Sequence, residues 1–219
     1  YLLCGKTDET RMRYKPADFY ARNRVDFRSG VAAVSIDKDE KNVTGSDGNV
    51  YPYDKLLLAT GAKPFVPLIP GLESVHYHTF MTLRDAHALA ACRQSGKEVE
   101  FDELVMAVGV RPATELAQSL GLDAARGIHT NAQGETDIPD IFAAGDCAKS
   151  FDVTTDTERV LALLPNATQQ GEICGLAMAG KSGKSFNAIP MNAMGMFGLH
   201  MITAGTMTCD DHIIRENGS

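Results

Sequence analysis

The residues best placed to do chemistry lie in the run Thr136-Asp-Ile-Pro-Asp-Ile-Phe-Ala-Ala-Gly-Asp146-Cys147, where an apolar strand empties into a Gly-Asp pair. Gly145 has no side chain to block close backbone approach. The carboxylate of Asp146, ionised at neutral pH, can accept two hydrogen bonds from neighbouring hydroxyls. That combination suits the sugar-like hydroxyls of a cofactor, in particular the ribityl chain of a flavin. Alone, the dipeptide reads as a buried strand ending in an ordinary turn; the whole run carries the cofactor reading.

Such a strand needs a sheet to hold it, and the chain carries one strand-like pattern twice. Tyr53-Asp-Lys-Leu-Leu-Leu-Ala-Thr-Gly-Ala-Lys-Pro64 matches Phe101-Asp-Glu-Leu-Val-Met-Ala-Val-Gly-Val-Arg-Pro112. Each copy predicts a short buried strand stopped by Gly and Pro. Continuous apolar runs suit a parallel sheet covered on both faces, where ligands sit beyond the carboxyl ends of the strands. Lys63 and Arg111 follow the two glycines at equivalent positions, where a cation could steady a phosphate or a ring carbonyl, or stay solvated.

Other elements surround this sheet. Lys15 to Arg24 suits a short helix leading into a strand at Val25 to Arg28. Val31 to Ile36, Lys41 to Thr44 and Val50 to Tyr53, with the turn Ser46-Asp-Gly-Asn49, predict a small antiparallel meander. Leu83 to Gln94 has helical spacing, with Leu83, Ala86, Leu89 and Ala90 on one face and Arg84 and Asp85 opposite. Pro165 to Ala179 predicts a helix with Pro and Asn at its start, Ile173, Leu176 and Ala177 inward, and Gly180 as its stop. The amino end of that helix carries free N–H groups.

Composition excludes several function classes. Hydrophobic residues make up 44% and charged residues 22% of the chain, ordinary for a protein that builds a core. A formal net charge of −7 disfavours nucleic acid and anionic membrane surfaces as partners, since both need clustered Lys and Arg. No apolar run approaches the roughly 18 residues that span a bilayer. The five cysteines, at 4, 92, 147, 174 and 209, form neither a CxxC pair nor a metal-ligand spacing. They point to a reducing cytoplasm, and the histidines show no metal-binding spacing either. Cys147 and Cys174 read as packed thiols.

Together, Tyr53 to Pro70, Thr82-Leu-Arg-Asp85, Phe101 to Glu115, Thr136 to Cys147 and Pro165-Asn-Ala-Thr-Gln-Gln-Gly171 resemble the pyridine nucleotide-disulfide oxidoreductase superfamily, in its rubredoxin reductase, nitrite reductase and NADH oxidase branch. The resemblance implies an α/β fold, Rossmann-like and three-layered, binding FAD and NAD(P), with the small meander attached. It implies FAD as cofactor, NAD(P)H as substrate, and hydride transfer from nicotinamide to flavin. By the same resemblance Asp146 and Gly145 hold the ribityl chain, and Ala59, Thr60 and Gly61 line the floor. Asn166, Ala167 and Thr168 present a helix end to the pyrimidine side of the flavin, or belong to a core helix without contact. Arg84 sits near the cofactor at a link between nucleotide domains, and Ala33 meets the adenine or simply pairs in a strand. No metal and no catalytic acid or base is assigned. Some relatives carry a redox cysteine near Cys4, but the surroundings Leu-Leu-Cys-Gly-Lys match that pattern poorly.

One departure matters: no G-x-G-x-x-G occurs in the 219 residues, although the resemblance leads one to expect two, one for the FAD pyrophosphate and one for NAD(P)H. At about 100–200 residues per domain, the chain makes one domain or little more. The resulting expectation is an incomplete fold: residues 1–97 and 113–190 as two parts of an FAD domain, 98–112 as a remnant of an NAD(P)H domain, and 191–219 as the start of an interface domain. The function expected of the intact parent is FAD-dependent NAD(P)H oxidoreduction. Its electron acceptor, a small redox protein or a small molecule, is left open, and a homodimer is among the arrangements allowed. The alternative is an inactive scaffold or interaction fragment that binds FAD weakly or not at all.

Overall fold

A computed structural model describes residues 2, 5–75, 77–94, 109–181, 185, 187–196 and 199–206. They fall into two compact units: Tyr1–Ala32, Gly45–Asp47 and Lys63–Arg111 form the first, and Ala33–Thr44, Gly48–Ala62 and Pro112–Ser219 the second.

The first unit opens with a helix shorter than its sequence suggests. Only α1 (Phe19–Arg22) forms, with no side-chain cap from Asp18 and no buried residue, and the chain leaves it through Arg24 at φ +55°. Without a cap or an apolar stripe to bury, a helix of this length has little to hold it. The expected strand at Val25 to Arg28 is not formed. Phe27 instead stacks flat on Tyr20, with ring centroids 4.4 Å apart, and Arg28 pairs with Asp26 at 2.6 Å. Later in this unit, the helix expected at Leu83–Gln94 is present as α2 over those same residues. The motif Thr82-Leu-Arg-Asp85 starts it as a capping box: Asp85 N–H donates to Thr82 Oγ1 at 3.2 Å, and Thr82 N–H returns a bond to Asp85 Oδ2 at 2.9 Å. Backbone N–H bonds from Met81 and from Thr82 to its Oδ2 hold the Asp85 carboxyl below its ordinary pKa.

The meander forms as expected. β1 (Ala33–Asp37), β2 (Asn42–Gly45) and β3 (Val50–Pro52) make one sheet with β2 in the middle, and Val43 faces Tyr51 across the antiparallel β2–β3 pair. An ion pair of 2.6 Å between Lys41 and Asp140 pins this sheet to the core strand that follows Asp140.

That core is a parallel pair. β4 (Leu56–Leu58) lies beside β7 (Ile141–Ala143), with Leu56, Leu57 and Leu58 opposite Ile141, Phe142 and Ala143. Leu58 and all three β7 residues are buried, as continuous apolar strands should be. Between them in sequence come β5 (Ala62–Pro64), β6 (Val110–Pro112) and α3 (Glu115–Ser119). β5 and β6, the ends of the two repeat copies, pair with each other. Gly61 and Gly109 take φ values of +68° and +90°, a conformation that only glycine adopts cheaply. Residues 101–108 of the second copy lie outside the described residues. The opposite edge of β7 is also occupied: Thr136 N–H donates to Ile141 O at 2.8 Å and Ala143 N–H to Gly134 O at 2.9 Å.

The second unit continues with β8 (Ser150–Asp152), β9 (Thr157–Arg159), α4 (Leu164–Met178) and β10 (Asn187–Ala188), the three strands ordered β10-β8-β9. A hairpin of β11 (Met191–Met196) and β12 (Leu199–Ala204) follows. α4 ends as its sequence predicts. With Gly180 at φ +71°, Lys181 N–H bonds to Leu176 O and Gly180 N–H to Ala177 O, each at 2.9 Å, which together form a Schellman motif.

Asp152 locks the β8–β9 hairpin. It is fully buried and accepts from Thr154 Oγ1 at 2.6 Å, Thr154 N–H at 2.9 Å and Arg159 Nε at 2.7 Å. Burial by itself would raise its pKa; the Thr154 and Arg159 bonds outweigh that and hold it at about 2, against an ordinary 3.8. A carboxyl with a depressed native pKa stabilises the fold above its unfolded value, and that stability is lost as pH falls through the native one. Asp152→Asn is therefore expected to cost about 2–3 kcal/mol at pH 7, with the gap from wild type closing as pH falls from about 5 towards 2. Urea unfolding at several pH values measures this; equal stability at pH 7 would contradict it.

Candidate functional site

The loops that leave β4 and β7 emerge at the same end of the parallel pair, because Leu58 faces Ala143. Ala59, Thr60 and Gly61 follow β4; Ala144, Gly145 and Asp146 follow β7. The sheet thus brings together five residues singled out from sequence, beyond the carboxyl ends of parallel strands where α/β sheets bind ligands.

The β7 loop is a single 3-10 turn, Gly145–Cys147, entered through Gly145 at φ +80°. Ala144 N–H donates to Leu58 O at 3.1 Å, and Cys147 Sγ donates to the same carbonyl at 3.4 Å. Ala148 N–H closes the turn on Gly145 O at 2.9 Å. Held at both ends, the turn leaves the half-buried Asp146 without an ion pair or hydrogen bond to its carboxylate among the described residues. The β4 loop is held too: Thr60 Oγ1 donates to Ala113 O at 2.5 Å, and Ala113 N–H donates to Gly61 O at 2.9 Å. The Thr60 hydroxyl is thereby committed to the framework.

The amino end of α4 packs against this turn, and a Cβ at Gly145 would stand 3.7 Å from Ala167 Cβ. Leu163 provides no side-chain cap, and proline occupies the first turn. The first N–H groups of any helix lack partners within it and carry the positive end of its dipole. Asn166 is buried at 6% exposure, and its Nδ2 has no hydrogen-bond partner among the described residues. A buried amide donor left unsatisfied costs about 1–3 kcal/mol, so a donor of this kind marks a place for an acceptor. Thr168 is exposed and its hydroxyl donates back to Leu164 O at 2.9 Å.

Ala33 is exposed at the start of β1, and Arg84 is exposed on α2 in the first unit. Arg111 stacks its guanidinium over Phe65, 4.3 Å from the ring centroid. Cys4 and Cys209 lie outside the described residues.

Sequence reasoning missed Gln170. It is buried at 8% exposure, its Oε1 accepts from Gly145 N–H at 2.6 Å, and its Nε2 donates to Ser150 Oγ. The available signal was its place one helical turn beyond Asn166, on the same face.

The chemistry of these donors fits one part of FAD. An unpaired carboxylate suits ribityl hydroxyls, and a helix amino end with an unsatisfied Asn amide suits the carbonyls of the flavin pyrimidine. No group of three or more His, Cys, Asp or Glu among the described residues could hold a metal ion, and none of their helices is long and apolar enough to cross a membrane.

Residues 7–91 and 87–171 match the family described as pyridine nucleotide-disulphide oxidoreductase. The NADH-dependent phenylglyoxylate dehydrogenase subunit epsilon of Aromatoleum evansii is 27% identical over 292 residues, covering 95% of this chain and 69% of that protein. The ferredoxin–NAD(+) reductase component of the biphenyl dioxygenase system of Paraburkholderia xenovorans is 36% identical over 242 residues, covering 73% of this chain and 59% of the relative. Among solved structures, reduced Bacillus anthracis CoADR-RHD has the same fold, with a TM-score of 0.81 at 21% identity over 94% of this chain and 53% of its own. The chain thus spans between about half and about two thirds of the length of these proteins.

Two thiols flank the site. Cys147 and Cys174 are fully buried, and Cys174 donates to Ala143 O at 3.6 Å. Burial pushes the Cys174 thiol up to about 11, so the nucleophilic thiolate is scarce at neutral pH. Peptide mass spectrometry after alkylation at pH 8 is expected to find both unmodified in the folded protein and modified once it is unfolded in urea. Rapid native labelling of Cys174 would contradict this packing.

Proposed function

Because the chain belongs to the pyridine nucleotide-disulphide oxidoreductases, whose members are FAD-dependent and use NADH or NADPH, we propose that its intact parent is a FAD-dependent NAD(P)H oxidoreductase that passes electrons on to a second acceptor. The observation that carries this reading is the convergence of an unpaired Asp146 carboxylate, the left-handed Gly145 and the unsatisfied Asn166 amide at one end of β4 and β7.

Once bound, FAD would supply the redox chemistry, hydride acceptance from nicotinamide and electron release to the acceptor. The chain supplies position and field. Asp146 accepts hydrogen bonds from ribityl hydroxyls, and Gly145 lets backbone approach without a side chain between. Asn166 Nδ2 and the amino end of α4 offer donors and partial positive charge where negative charge gathers on reduction. Ala59, Thr60 and Gly61 form a floor held rigid by Ala113. The acceptor is a small redox protein or a small molecule; the Paraburkholderia relative, by its name, serves a ferredoxin.

A second reading has its own support: this polypeptide by itself is an inactive scaffold that holds FAD weakly or not at all. No G-x-G-x-x-G loop occurs in its 219 residues, and such loops contribute the charge-assisted phosphate contacts of nucleotide sites. The alignment with the Aromatoleum subunit also extends over 292 residues, more than this chain contains, so that relative carries residues with no counterpart here.

FAD titration of the 219-residue chain and of the full-length gene product separates the two readings. Flavin bound by both, or by the full-length product alone, keeps the oxidoreductase assignment, and NADH oxidation with added acceptors should accompany it. Asp146→Ala is expected to weaken FAD binding by about tenfold to a hundredfold, the worth of one or two hydrogen bonds to a charged group. A full-length product that binds no flavin, or an Asp146→Ala variant that binds it unchanged, would overturn the reading.

A further inference from the structure

The turn that presents Asp146 is not self-supporting. Gly145 sits at φ +80°, and its N–H points away from the turn's own closing bond, which runs from Ala148 N–H to Gly145 O. The group that takes the Gly145 N–H is a side chain from α4: Gln170 Oε1, at 2.6 Å. The other half of the same amide, Nε2, donates to Ser150 Oγ, the first residue of β8. One buried amide therefore ties the entry of the turn to the strand beyond it and both to α4. Its orientation is fixed by chemistry, since the flipped amide would set Nε2 against the Gly145 N–H, donor against donor. Asn166, one helical turn earlier on the same face, is the residue whose Nδ2 lacks a partner among the described residues, so the two buried amides of α4 divide the labour. Gln170 is spent on the protein, and Asn166 is left for a ligand.

We propose that Gln170 is a positioning residue, which sets the conformation of the Gly145–Asp146 turn and its register against the amino end of α4, and through that turn the affinity for FAD. Its effect on FAD rests on the functional reading given above; its effect on the turn does not. Without the side-chain acceptor, the Gly145 amide is left unsatisfied against a packed helix, and relief comes by reopening the turn, which swings Asp146 away from the Asn166 end.

The test uses the full 219-residue chain and its Gln170→Met and Gln170→Glu variants, the first removing both hydrogen bonds at near-constant volume, the second keeping an acceptor oxygen for Gly145. Amide exchange followed by NMR without FAD is expected to show Gly145 exchanging about tenfold faster in Gln170→Met, with the α4 amides of Ile173 and Gly175 unchanged. FAD titration should show affinity falling by about tenfold in the same variant, and Gln170→Glu should return both measures to within about threefold of the parent. If Gln170→Met does not fold, Gln170→Asn, polar but one methylene too short to reach Gly145, takes its place with the same expectation. Unchanged Gly145 exchange overturns the proposal, and so does faster exchange with unchanged FAD affinity. If the unsubstituted 219-residue chain binds no FAD, the titration is read on the full-length gene product and its Gln170 variants, where absence of flavin counts against the functional reading alone, and Gly145 exchange in the 219-residue chain decides the role of Gln170 in the turn.

Discussion

The short parallel ladder between β4 and β7 is the interaction on which the rest depends. Its partners are distant in sequence, and only their pairing places the Thr60–Gly61 and Gly145–Asp146 loops at one end of the same layer. The carbonyl of Leu58 concentrates that dependence, receiving the Ala144 amide on the way into the turn and the Cys147 thiol on the way out. With Leu58, Ile141, Phe142 and Ala143 at 4% exposure or less and Leu56 and Leu57 half-buried, the β7 side of the ladder is shielded from water that would compete for its hydrogen bonds. Function-bearing groups here are fixed by backbone pairing first and by side-chain packing second.

Much of this arrangement was legible in the residues. The helix α4 could be read from its apolar spacing, its early Pro165 and the Gly180 stop, and α2 from its period and the Thr82–Asp85 pair, because these signals are local and the structure satisfies them locally. The meander was legible for the same reason, in its Asp47-Gly48 turn. Val25 to Arg28 misled because alternating apolar residues specify an extended chain, not what it pairs with, and here the apolar side chain of Phe27 is taken up by the Tyr20 ring. Gln170 was missed for the opposite reason: its one signal, the spacing from Asn166, has no meaning until a distant backbone N–H is known to lie against it.

The internal repeat has a physical explanation in its last four residues. In both copies the glycine is left-handed, and the basic residue and proline that follow it enter β5 or β6. Phe65 N–H donates to Gly109 O at 3.1 Å within the first unit, and Ala113 N–H to Gly61 O at 2.9 Å within the second. Proline is tolerated because these are two-stranded edges, where a missing N–H can face outward. The cation of the second copy, Arg111, is occupied by the Phe65 ring; similar sequence has yielded similar backbone but not an identical task for the charge.

The hairpin contact that seals β7 gives the layer a direction of growth. Thr136 and Gly134 occupy one flank of that strand and β4 the other, so nothing more can be added beside it. A further strand added on the β4 side would lie alongside Leu56–Leu58, whose carboxyl end leads into the loop bearing Thr60 and Gly61.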